Sequence, residues 1–281
     1  MSKDRSIIDI LKSQIKKNNA LPVLSKNSLQ LQNEVVKENP NLKKIETMIK
    51  FDPSIAGHVL KMANSAFYRG LEQISTIKEA MLRLGTMELG NIVVQAVHKA
   101  NFQSKDPFIR KHQKRLLSHS ISCAVGSFWT AKYLDLDEIL SKSFLAGLLH
   151  DMGILYLLTA FEQMKKNNVI KNYPSNVLIE QIIDKLHAEQ GFELLSHWNL
   201  PETFCKIAGN HHIEDFDQTD ILLTLVRCVD KVCLKMEKGN KEDDTALVAA
   251  SIEVDILGIS EIGLAEMEIA IEDYQQKFRL F

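Results

Sequence analysis

The sequence predicts an all-α fold. Apolar residues recur at helical spacing, as in Leu89, Ile92, Val93, Ala96 and Val97, and again in Ile221, Leu222, Leu225, Val226, Val229 and Val232. No segment alternates apolar and polar residues over a useful strand length. With 12 glycines and 6 prolines in 281 residues, turns are few and helices many.

Taken in order, the charged start Met1 to Arg5 leads into Ile7 to Ile15, which Asp9, Lys12 and Gln14 interrupt. It is neither a signal peptide nor a membrane span. Asp52-Pro53 pairs a capping residue with a proline suited to the first helical position. Met48, Met62, Met81 and Met87 fall on helical spacing and read as core fillers. In Asn64 to Tyr68 the reading is a helix end, its Asn-Ser bonding local backbone. Arg83, beside Leu84-Gly85, reads as a structural fork on nearby carbonyls. Thr86 is placed to cap the helix that carries Leu89 to Val97.

A polar break from Asn101 to Pro107 divides the chain into an N-terminal helical subdomain, 1–103, and a C-terminal one, 104–281. The basic run Arg110 to Arg115 reads as a solvated helix face. Phe144 to Leu149 is apolar enough to require burial, and Lys165 to Ser175 reads as a surface loop. Phe204 to Asn210 reads as a helix ending at His211-His212. The helix from Ile221 closes at Gly239 after a lysine-rich last turn. Lys238 to Asp244 is another loop, and Ala246 to Phe281 packs as further helices.

Composition narrows the function classes. An apolar fraction of 45% and a charged fraction of 25% support a core built without disulfides. The net charge of -2 gives no electrostatic reason for a nucleic acid or an anionic membrane as main partner. Cys123, Cys205, Cys228 and Cys233 form no CxxC pair and read as buried free thiols of a reducing, cytoplasmic compartment.

Five of the nine histidines belong to a scattered ligand-type set: His119, His150-Asp151, His187, His211-His212 and Asp230. Imidazoles and carboxylates suit borderline divalent ions such as iron, manganese, zinc or nickel. For any one residue a bland reading is simpler. His119 fits an exposed helix position, His211-His212 a helix terminus, and His150 or Asp151 a hydrogen-bonded core group. The set is more specific than its members. A buried His-Asp pair needs partners, because unpaired buried polar groups cost several kcal/mol.

The order His, His-Asp, His, His-His, Asp resembles the HD superfamily of metal-dependent phosphohydrolases, and His187-Ala188-Glu189-Gln190-Gly191 is similar to a histidine motif of its HD-GYP branch. The N-terminal half narrows this further, through Leu21-Pro22-Val23-Leu24, Asp52-Pro53-Ser54-Ile55, Leu60 to Tyr68, Ile74-Ser75-Thr76-Ile77 and Arg83-Leu84-Gly85. With Gly147 to Gly153 and Trp198-Asn199-Leu200-Pro201, these resemble the HDOD family, the HD-related output domain of bacterial signalling proteins.

That resemblance implies a multi-helix fold with an HD-like C-terminal subdomain and a regulatory role through a protein partner. It implies one or two divalent ions held by His119, His150, Asp151, His187, His211, His212 and Asp230. An active relative would be a phosphodiesterase of nucleotides or cyclic dinucleotides, with Asp151 bridging two ions around a hydroxide nucleophile. Two departures weigh against that chemistry here. Ile154 stands where HD-GYP enzymes carry a lysine, and Ile213-Glu214-Asp215-Phe216 replaces their Gly-Tyr-Pro loop.

Overall fold

The computed structural model describes residues 7–18, 26–35, 37, 39–51, 53–65, 68, 74–100, 104–198, 200–239 and 242–278. Residues 21–24, 52, 66–67, 101–103 and 199, which carry part of the sequence reading, lie outside these. The helices are α1 (Ile7–Asn18), α2 (Lys26–Val35), α3 (Leu42–Lys50), α4 (Pro53–Ala63), α5 (Ile77–Ala100), α6 (Pro107–Tyr133) and α7 (Asp137–Leu149). They continue as α8 (Met152–Lys166), α9 (Asn176–His197), α10 (Glu202–Asn210), α11 (Ile221–Glu237), α12 (Glu242–Ala249), α13 (Ile252–Leu257) and α14 (Glu261–Phe278). No strand occurs among the described residues, so the fold is all-α as the sequence predicts.

The chain separates into two compact units, each discontinuous in sequence. One takes Met1–Val23, Phe102–Leu117 and Leu149–Glu214; the other takes Leu24–Asn101, Ser118–Leu148 and Asp215–Phe281. One boundary falls at the polar break near residue 103, and the later ones fall within α6, at the end of α7 and between Glu214 and Asp215.

In the first unit, α8 packs on α9, α9 on α10 and α1 on α8. Asp106 caps α6, its Oδ1 accepting from the Phe108 N–H at 2.9 Å and the Ile109 N–H at 3.3 Å. Its other oxygen takes Lys165 Nζ at 3.0 Å. Lys165 also lies 4.2 Å over the Tyr173 ring, which stacks on Phe108. Lys165 and Lys166 are therefore the last turn of α8 rather than loop, and the loop that follows is fastened to the start of α6. Ser175 Oγ caps α9 by accepting from the Leu178 N–H.

Two glycines set the helix spacing beside the candidate ligands. A Cβ on Gly153 would overlap the His187 carbonyl oxygen and lie 2.6 Å from the Gly191 N, so α8 crosses α9 this closely only because Gly153 is bare. In the second unit a Cβ on Gly147 would lie 2.7 Å from the Cys123 carbonyl carbon, and α7 rests on α6 there.

The second unit contains α2 to α5, the rest of α6, most of α7 and α11 to α14. Gly85 interrupts α5 with φ 73° and ψ 172°, a conformation that favours glycine, and places Thr86 at the start of the second half as expected. Leu89, Ile92 and Val93 are buried behind it. Arg83 donates to the Ala63 carbonyl and to Asn64 Oδ1, both at 3.3 Å. Asn64 in turn bonds both backbone groups of Ile74. Arg83 is thus the structural fork expected, whereas Asn64 reaches the backbone ten residues on rather than beside it. Met48 and Met62 are buried, whereas Met87 is 43% exposed, because the break at Gly85 resets the helix phase.

Asp220 caps α11, accepting from the Leu223 N–H at 2.9 Å, and Gly239 closes it with φ 91°. Beneath α11, Cys123, Val229, Val232, Met267 and Ile271 form one apolar core. Glu253 is fully buried and takes Arg227 at 2.8 Å together with Lys231. The four cysteines are buried and form no disulfide. Among the described residues one stretch, Lys142–Lys166, is long and apolar enough to cross a membrane, and 89% of its apolar window is buried inside the protein.

Candidate metal centre

Asp151 occupies the N-cap position of α8 without capping it. An aspartate there ordinarily spends its carboxylate on the first free N–H groups of the helix. Here Oδ1 instead lies 3.5 Å from His187 Nε2 and 3.3 Å from His211 Nε2, and Oδ2 lies 3.5 Å from His150 Nε2. His187 comes from α9 and His211 is the C-cap of α10.

The tautomers decide what this geometry can hold. His187 Nδ1 lies 2.8 Å from the Ile183 carbonyl oxygen and His211 Nδ1 lies 2.9 Å from that of Ala208. A carbonyl only accepts, so both Nδ1 atoms carry hydrogen, and neutral rings turn Nε2 lone pairs inward. Those two Nε2 atoms are 3.2 Å apart. Two lone pairs and a carboxylate oxygen thus converge on one point, which suits a cation. An ion about 2.0 to 2.1 Å from each donor spaces them about 2.9 to 3.3 Å apart, close to what is found.

His212 is exposed and packs its ring 4.1 Å from His211 and 4.9 Å from His187. One ligand atom from each of Asp151, His187, His211 and His212 falls within 4.8 Å of the others. His150, 1% exposed, sets its ring edge-on to His211 at 5.1 Å. Nitrogen and carboxylate donors in this mix fit the borderline divalent ions.

The second unit holds the other two predicted residues. His119 on α6 places Nε2 3.1 Å from Asp230 Oδ1 of α11 and Nδ1 2.8 Å from Glu237 Oε1. At 6% exposure it is not the solvent-facing helix residue that its neighbour Ser120 allowed. Cys123 Sγ lies 3.4 Å from the same Nε2 atom. By sequence, five of the seven predicted residues belong to the first unit and two to the second.

The sequence reading passed over Cys123 and Glu237. Cys123 follows His119 by four residues and Glu237 follows Asp230 by seven, so each pair shares one helix face. That spacing is the available signal, and a cysteine set among apolar residues masks it.

Comparison with known proteins completes the description. The HDOD domain family matches residues 21–214, more than two thirds of the chain. The chain belongs to the HDOD family. The matched stretch of this HDOD chain covers His119 to His212 and ends before Asp230.

An HDOD domain protein of unknown function from Geobacter sulfurreducens superposes with a TM-score of 0.74 at 19% identity, covering 98% of each chain. A candidate phosphohydrolase from Shewanella amazonensis SB2B gives 0.68 at 20% identity over 95% of this chain and 96% of that one. At such identities the likeness is one of fold. An uncharacterized protein of Treponema pallidum (strain Nichols) is 26% identical over 196 residues, which is 68% of this chain. The HDOD chain matches only 37% of that relative's length.

Proposed function

We propose that this HDOD chain is a regulatory, signal-transducing module that holds one or two divalent ions and acts through contacts with a protein partner, not by hydrolysing phosphodiesters. The observation that carries this reading is a retained ligand set beside a lost phosphate grip. Asp151, His187, His211 and His212 supply the donors. Where the HD-GYP enzymes it resembles present a lysine, this chain has Ile154, an aliphatic side chain that cannot bind a phosphate oxygen. After the paired histidines, Glu214 and Asp215 are exposed and carry the charge of the substrate they would meet. Repulsion between them and an anion works against binding.

A bound ion here would act as a Lewis acid and hold a water. What the residues do without hydrolysis is structural. A bound ion would tie the start of α8, the middle of α9 and the end of α10 together, so its arrival or loss changes how firmly those helices are held.

One observation favours the alternative, a metal-dependent phosphohydrolase of nucleotides or cyclic dinucleotides. His212 is exposed, so the first-unit group has a side open to water, as catalytic sites do and closed structural sites do not. The two readings separate in an assay of metal-loaded protein against a chromogenic phosphodiester and cyclic dinucleotides. Regulation without hydrolysis predicts metal bound and no turnover beyond free metal. Turnover that disappears in Asp151→Ala would establish the phosphohydrolase.

A further inference from the structure

We infer that Cys123 is a thiolate ligand, which makes the His119–Asp230 pair a soft metal site that selects zinc or iron over magnesium or manganese. This rests on the metal-holding reading above and adds the identity of the ion to it.

The tautomer of His119 is fixed by its neighbour. Glu237 is a carboxylate and only accepts, so the hydrogen of the ring sits on Nδ1, where Glu237 lies 2.8 Å away. That is the arrangement by which a carboxylate fixes the tautomer of a ligating histidine and raises its basicity. Nε2 is then the metal-facing atom, and it faces both Asp230 Oδ1 at 3.1 Å and Cys123 Sγ at 3.4 Å.

Those separations match a shared ion. A tetrahedral ion about 2.0 Å from nitrogen and oxygen and about 2.3 Å from sulfur spaces nitrogen and oxygen about 3.3 Å apart, and nitrogen and sulfur about 3.5 Å apart. Three corners are thus preset by side chains whose supports are already packed. His119 and Cys123 are one turn apart on α6, and Gly147 lets α7 rest directly on the Cys123 backbone. Glu237 also lines a cavity of about 260 Å³ with Ser118, Ser122 and Gln275.

The other thiols differ in surroundings. Cys228 is buried, and its burial and the Glu253 carboxylate push its thiol up to about 12. Cys205 donates to the Leu200 carbonyl. Cys123 alone among the four lies beside a histidine and an aspartate in a group suited to a metal. On binding, its S–H proton leaves to solvent and the sulfur lone pair forms the bond to the ion. Thiolate donors favour zinc and iron, whereas oxygen-only sets favour magnesium and manganese.

Cobalt(II) tests this because it reports thiolate ligation optically. The full-length protein is titrated with cobalt(II) and its near-ultraviolet sulfur-to-cobalt charge-transfer absorption is recorded. Cys123→Ser and, as a control, Cys205→Ser are treated alike. The expected result is a charge-transfer band present in wild type and Cys205→Ser and lost in Cys123→Ser. X-ray absorption of the zinc-loaded wild type should show sulfur at about 2.3 Å, independently of whether the variant folds. Cobalt bound with no such band, and zinc seeing only nitrogen and oxygen, would overturn this inference and leave the proposed function standing. No metal bound at all would overturn both.

Discussion

His187 and His211 point Nε2 atoms at each other across 3.2 Å, while each ring is locked by an Nδ1 hydrogen bond to a main-chain carbonyl. Neither ring can turn to relieve the opposition of the two lone pairs without breaking its carbonyl bond. Asp151 Oδ1 adds a third acceptor at 3.3 to 3.5 Å. The site is therefore shaped for a cation, and stability should respond to one.

A divalent ion at about a hundred times its Kd should stabilise the fold by about 2.7 kcal/mol, since it binds the folded state and not the unfolded one. Calorimetry with added zinc or manganese, and with a chelator, reads this. His211→Ala should remove most of the metal-dependent shift in melting temperature.

Gly153→Ala should cost about 1 to 3 kcal/mol and weaken metal binding, because the new Cβ forces α8 away from α9 where both carry ligands. Gly57→Ala is the matched control. Its Cβ meets nothing within 4 Å in helix α4, so it should be stabilising by about 0.4 to 1 kcal/mol. Urea denaturation of both variants decides the point. Equal effects would mean that the crossing at Gly153 is not tight.

Glu253→Ala should destabilise the second unit by about 3 kcal/mol. It removes the carboxylate that the buried Arg227 guanidinium, stacked 4.0 Å from the Phe216 ring, pairs with at 2.8 Å. Metal content of the first-unit ligands gives the contrast: it should be unchanged at temperatures where the variant is folded.

Glu34 gives a pH signature. Lys44 and Lys37, with the Asn41 N–H, hold its carboxyl down to about 2. Its unfolded pKa is about 4.3, so between these values the unfolded chain binds the extra proton. Its contribution is full above about pH 4.3 and is lost as pH falls through the folded value. Glu34→Gln should therefore lower stability at pH 7, with the gap to wild type closing toward pH 2 in chemical denaturation. A gap that stays constant across that range would show that the lysines do not act through the Glu34 charge.

Much of the fold was legible because its signals are local. The periodicity of Leu89 to Ala96 and the closing Gly239 each act within one helix. Loop limits were less legible: Lys165 and Lys166 look like loop residues by polarity, yet Asp106, distant in sequence, draws Lys165 into α8. The seven ligand-type residues are legible by their order along the chain, but which of them come together depends on helix crossings such as the one at Gly153. Cys123 was hidden for a different reason. A cysteine among apolar residues reads as core, and only the neighbouring His119 ring distinguishes it.

The most direct test of the central claim is elemental analysis of untagged protein purified anaerobically without chelators, alongside Asp151→Ala. The account predicts at least one equivalent of iron, manganese, zinc or nickel in wild type and a marked loss in the variant. Wild type that holds no metal even after reconstitution, or a variant that holds as much as wild type, would contradict it.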